Sequence, residues 1–161
     1  MSSHITTNYI RMIGISSYDI YSRDEDGSLC IDFEKIVPTP KTRKEYLASG
    51  GAKYKAPEEE GITPVSDRPW FNWLSWTLDH WGTVSQKWPV EIYDDDEIAF
   101  DNVYDPPTGI FKAISEMHPH FELDVSSDLS EGNTLNQAWL GGKVIYEELH
   151  NDFEDLMEVG A

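Results

Sequence analysis

Residues 89–105 read PVEIYDDDEIAFDNVYD, with seven acids and no base between Glu91 and Asp105, and the fold class turns on how this stretch is read. Pro89 to Tyr93 alternate on one side of Asp94-Asp95-Asp96, and Ile98, Phe100, Asn102 and Tyr104 alternate on the other. Every second side chain of a strand faces the same way, so the pattern predicts a β-hairpin with an acidic tip. Aspartate suits such a tip because its carboxylate bonds nearby backbone N–H groups. On this reading Ile98, Phe100 and Tyr104 face the core, while Glu97, Asp101 and Asp105 face solvent.

The flanking segments supply the rest of an α+β pattern. HITTNYIRMIG (residues 4–14) has the β-branched and aromatic content of a strand that stops at glycine, and SLCIDF reads as another. Between them SRDEDGS imitates a calcium loop, but its glycine and distal acid are misplaced, so a polar turn at Asp26-Gly27 is expected. A short helix is predicted over Thr42–Ala48. In SDRPWFNWLSWTLDHWG, Ser66 serves as N-cap, Pro69 lies in the first turn, and Trp70, Trp73, Leu74 and Trp81 share helical spacing. At that spacing the tryptophans read as packing residues. Ile110, Phe111, Ile114 and Met117 mark a second helix, and HFELDV alternates as a strand. TLNQAWLGGKVIYEEL reads as two strands joined at Gly141-Gly142. Leu149, Phe153, Leu156 and Met157 fall at i, i+4, i+7 and i+8, which predicts an amphipathic acidic helix over residues 147–158.

A chain of 161 residues, 39% hydrophobic and 12% aromatic, is sized for one domain with an aromatic core. Residues 41–67 are polar and read as an exposed insertion within a single domain spanning 1–161. No secretory leader and no bilayer-length apolar run is visible, so a soluble protein of the host cytoplasm is expected. The single cysteine, Cys30, excludes an internal disulfide or a Cys-x-x-Cys site and reads as a small buried hydrophobe.

Charge is the strongest compositional signal. The net charge is −18, and it is lopsided: through Arg68 nine bases meet eleven acids, whereas beyond it three bases meet nineteen acids. Such a surface repels nucleic acid and anionic membrane, so neither is an expected direct partner.

Three segments resemble the YubB-type ferredoxin-like family of plasmids and phages. They are Ile31-Asp32-Phe33-Glu34-Lys35-Ile36-Val37-Pro38-Thr39-Pro40, then Trp81-Gly82-Thr83 with Lys87-Trp88, then Phe100-Asp101 with Asp105-Pro106-Pro107. The family pattern joins the middle run directly; here Val84-Ser85-Gln86 is inserted before Lys87. The resemblance covers residues 29–145 and implies a ferredoxin-like α+β domain, an antiparallel sheet with helices packed on it, from a mobile element. It brings no enzymatic activity, and its Trp-Gly-Thr and Pro-Pro positions are fold elements.

Two clusters invite metal readings. His118, His120 and Glu122 lie at i, i+2 and i+4, but Pro119 interrupts the strand that would align them. Asp94 to Glu97 offers a hard-cation site for a metal-dependent nuclease; only Lys87, Lys112 and Lys143 in that half would hold an anionic substrate. No phosphate loop, serine elbow or Cys–His pair is present, so no cofactor and no catalytic residue is assigned. The favoured expectation is a non-catalytic acidic inhibitor from a phage or mobile element that imitates nucleic acid. It would occupy the basic groove of a host defence protein, of the CRISPR-effector or restriction-enzyme kind. The expected contact residues are Asp94, Asp95, Asp96, Glu97, Asp101 and Asp105, with Glu148, Asp152 and Asp155 on the acidic helix. Alternatives are the nuclease and an oligomerisation module built on aromatic patches.

Overall fold

Strand β1 (Ile5–Arg11) buries Thr6, Asn8 and Ile10 and leaves Thr7 half-buried and Tyr9 exposed between them, as the alternation in ITTNYIR requires. The protein is described by a computed structural model over residues 5–84, 86–129 and 132–151. β2 (Tyr21–Arg23) and β3 (Leu29–Asp32) form a hairpin whose turn is held by Asp24; its Oδ1 accepts from the Asp26 and Ser28 amides at 3.0 and 2.9 Å. The polar turn expected at Asp26-Gly27 is therefore present. Asp32 then caps a single turn, α1 (Phe33–Ile36), by accepting from the Glu34 amide at 3.0 Å. Cys30 is buried against this hairpin, and burial pushes its thiol pKa up.

Within the expected insertion, α2 (Arg43–Ala48) is capped by Thr42, which accepts from the Glu45 amide at 3.1 Å. The insertion is anchored by Tyr46, which is buried among Tyr54, Trp70 and Phe71 and whose hydroxyl accepts from the Asn72 amide at 3.1 Å. Tyr54 donates to Asp79, and Lys53 reaches the same carboxylate at 3.2 Å. These bonds hold the Asp79 carboxyl below its ordinary range against the opposing effect of burial. Tyr46→Ala should leave the sheet intact and make residues 49–67 the earliest site of limited proteolysis. Unchanged cleavage would show that the anchor lies elsewhere.

The main helix, α3 (Trp73–His80), begins later than Ser66. Val65 and Arg68 first form a bridge, so Ser66 and Pro69 lie in turns, and Asn72 is the N-cap, accepting from the Ser75 amide at 3.1 Å. The shift changes which tryptophans are core: Trp76 and Trp81 are buried, while Trp70 and Trp73 are half-buried. β4 (Lys87–Ile92) and β5 (Glu97–Val103) form the expected hairpin, with Ile98 and Phe100 buried. Tyr104 departs from expectation. Its φ of 69° ends the strand, Asn102 takes the last buried position, and the Tyr104 ring is 61% exposed.

α4 (Thr108–Met117) buries Ile110, Phe111 and Ile114, and β6 (Leu123–Asp128) buries Leu123 and Val125. β7 (Asn133–Leu140) and β8 (Lys143–Asn151) pair across Gly141-Gly142. The expected acidic helix is corrected at its start: residues 147–151 are strand. Val144, Ile145 and Tyr146 favour a pleated backbone, and Glu147 and Glu148 register against Gln137 and Asn136. Residues 152–158 of that expectation lie outside the described residues.

The result is an α+β architecture: one eight-stranded antiparallel sheet in the order β2-β3-β4-β5-β1-β6-β7-β8. The buried alternate residues of β1, β5 and β6 meet α1, α3 and α4, so the core lies on one side of the sheet. Trp81 and Phe100 both meet the Phe33 ring edge-on, and the Trp81 indole donates to the Val37 carbonyl at 2.8 Å. Trp81-Gly82 abuts Pro106-Pro107-Thr108, giving both segments a packing role. Among the described residues no helix is long and apolar enough to cross a membrane.

Candidate binding surface on the open sheet face

Strand alternation sends the other half of each strand to the face on which, among the described residues, no helix lies. Three cross-strand rows define it. Glu91, Ala99, Tyr9, Ser126, Asn136 and Glu148 form the middle row across β4, β5, β1, β6, β7 and β8. Five inter-strand steps make that row roughly 24 Å long. On one side of it stand Glu97, Arg11, Asp124, Ala138 and Tyr146, and on the other Asp101, Thr7, Asp128, Thr134 and His150. These rows hold six carboxylates against one arginine and one histidine. The arginine is neutralised where it stands, because Arg11 is ion-paired with Glu97.

Aromatic rings interrupt the charge. Tyr9, Tyr93 and Tyr146 are 43%, 56% and 52% exposed, large rings on a face over which none of the described residues packs. Between them Ala99 and Ala138 are small enough to be covered by their neighbours, which leaves shallow depressions. One, of about 390 Å³, lies among Tyr9, Tyr93, Tyr146, Glu97 and Asp124. The adjoining one, of about 470 Å³, lies among Tyr9, Tyr93, Glu91, Asp101 and Pro89.

The two outer tyrosines each have a carboxylate two residues away in sequence. Tyr146 donates to Glu148 and Tyr93 stands beside Glu91, and each carboxylate, aided by burial, raises its phenol's pKa above the ordinary value. Both phenols therefore stay protonated, and the Tyr146 ring is oriented. Beside this face Glu122 stands next to Asp124, and the interaction between the two acids raises the Glu122 carboxyl pKa.

The hairpin tip shows the local carboxylate–backbone bond expected of aspartate and adds contacts to the loop after β1. Asp94 Oδ1 accepts from the Asp96 amide at 2.8 Å, and Asp96 Oδ1 accepts from the Gly14 amide at 2.8 Å. The Asp95 and Asp96 carbonyls take the Ser16 and Met12 amides at 3.1 and 2.9 Å. The acidic triplet thus pins the loop after β1, and among the described residues none donates a backbone bond to the exposed Asp95 carboxylate. Asp101 and Glu148 lie on the open face. Asp105 lies off it, beyond the end of β5, where its carbonyl accepts from Asn102 at 2.7 Å. Asp152 and Asp155 lie outside the described residues.

Sequence reasoning missed Glu91, Asp124 and Asp128 and all three tyrosines. Their signal was present as alternation: Glu91-x-Tyr93 and Tyr146-x-Glu148 are same-face pairs. Among the described residues no three His, Cys, Asp or Glu side chains gather in a metal-holding arrangement. His118 instead stacks between Tyr18 and Phe121, with ring centres 4.5 and 5.9 Å away. Compared with known proteins, the chain matches no family model, no curated protein and no solved structure.

Proposed function

We propose that this protein is a non-catalytic acidic inhibitor whose open sheet face occupies the basic nucleic-acid groove of another protein. The observation that carries the reading is the six-carboxylate face, fixed on a rigid sheet, with its one arginine already paired. Fold stability does not favour such a face, since Glu91 has Glu97 and Asp101 as its diagonal neighbours on β5 and charges of one sign repel. A cationic partner relieves that repulsion. Carboxylates would stand where the partner's Lys and Arg side chains otherwise meet phosphates.

The finer parts of the proposal rest on different supports. The ferredoxin-like assignment is supported by the segment β1-α3-β4-β5-α4-β6, whose strands lie in the order β4-β5-β1-β6 as two interleaved split β-α-β units. On that assignment β2, β3, β7 and β8 extend the sheet. A mobile-element origin, with a defence protein such as a CRISPR effector or restriction enzyme as target in the host cytoplasm, is supported by the family resemblance together with the charge.

The test uses the variant Glu91→Gln/Asp101→Asn/Asp124→Asn/Glu148→Gln. Its thermal midpoint should lie close to the parent's, because the new amides keep an oxygen that accepts from Tyr146, and the loss of repulsion is offset by the loss of Asp124's attraction for Arg11. In affinity capture from host lysate the parent should retain a nucleic-acid-binding protein that added duplex DNA or rising salt releases, and the variant should not. Capture that survives about 1 M salt, where the screening length is near 3 Å, would exclude the mechanism.

A further inference from the structure

We infer that the two adjoining depressions on the open face are subsites for a pair of arginine side chains, with Tyr9 and Tyr93 as their shared wall. This rests on the proposed binding of a basic partner and specifies its chemistry. Charge alone would accept lysine equally. The tyrosines add a second requirement, since a planar, weakly hydrated guanidinium stacks on an aromatic face and forks onto a carboxylate, whereas a compact ammonium keeps its water.

Each depression supplies both halves of that requirement. The one beside β4 offers Glu91 and Asp101 under Tyr93 and Tyr9, with no base among its lining residues. The other offers Asp124 between Tyr9 and Tyr146; its Glu97 is already taken by Arg11, which shows a guanidinium held by this face. Because Tyr146 is hydrogen-bonded to Glu148, its ring is set before a ligand arrives, which lowers the entropic cost of stacking. Tyr9 registers against Ala99 and Ser126, small neighbours that leave both of its sides accessible.

The experiment compares nona-arginine with nona-lysine, peptides of equal charge, by titration calorimetry at about 0.15 M salt. The parent should bind nona-arginine at least tenfold more tightly, the factor that about 1.4 kcal/mol of stacking and forked bonding yields. Tyr9→Ala should remove most of that preference, and Tyr9→Phe, which keeps the ring, should retain it. Equal affinity for the two peptides, or a preference unchanged in Tyr9→Ala, would overturn the arginine subsites while leaving the acidic-surface reading in place. Failure of both peptides to bind would overturn both.

Discussion

Gly109→Ala should lower stability by about 3 kcal/mol or more and the thermal midpoint by roughly 10 °C, although alanine is the better helix former by about 1 kcal/mol. The sign follows from where the first turn of α4 lies. A Cβ at Gly109 would overlap the His80 carbonyl oxygen and crowd the Trp81 backbone, which is 3.1 Å from it at Cα. Neither neighbour is a flexible side chain that moves aside. The alternative is a shift of α4, which carries Ile110, Phe111 and Ile114, all fully buried, away from the sheet. Gly82 lies on the same seam: its φ is +88°, and a Cβ there would stand 2.9 Å from the Thr108 amide. Thermal unfolding followed by circular dichroism decides the matter; a midpoint at or above the parent's would mean that the two helices do not meet this closely.

Asn8→Ala should cost about 2–4 kcal/mol, because it orphans two buried polar partners at roughly 1–3 kcal/mol each. Asn8 is fully buried at the centre of the sheet. Its amide donates to the Asn102 side-chain oxygen at 2.7 Å and to the Phe100 carbonyl at 3.2 Å, and its own oxygen accepts from the Ser127 hydroxyl at 2.9 Å. Asn102 in turn donates to the Val103 and Asp105 carbonyls, so the network fastens the end of β5 where Tyr104 leaves the strand. Adding Ser127→Ala to Asn8→Ala should cost little more, since the orphaned hydroxyl goes with it. Denaturant unfolding of the two single variants and the double variant measures the coupling, and strictly additive losses would show that Asn8 and Ser127 do not act as one unit.

Local patterns carried much of this fold. Gly141-Gly142 marked the β7–β8 turn, the 3.6-residue spacing of Ile110, Phe111 and Ile114 marked α4, and alternation marked both arms of the β4–β5 hairpin. Where two patterns overlapped, reading by period failed. The run VIYEEL suits a strand, while Leu149 also opens a helical stripe, and pairing with β7 settles the backbone through Asn151. Tyr104 continued an alternation that the chain abandons one residue earlier, at a left-handed turn that no apolar periodicity encodes. At the acidic tip, composition registers charge but not the Gly14 amide that Asp96 accepts. The open face was the least legible feature. Tyr9, Ala99, Ser126 and Asn136 are adjacent only because β1 pairs with β5 and β6, and neither pairing leaves a trace near residue 9.

That central placement of β1 also dictates the order in which the molecule can be assembled. Arg11 lies opposite Glu97 on one side and Asp124 on the other, partners 86 and 113 residues further along the chain. During translation β1 emerges long before either neighbour exists, so its ladder groups wait until β5 and then β6 have left the ribosome. Non-local pairing of this kind carries a large loop-closure cost before any contact repays it, which places folding at the slow end for a chain of this size. The sheet therefore closes late, around a strand made early.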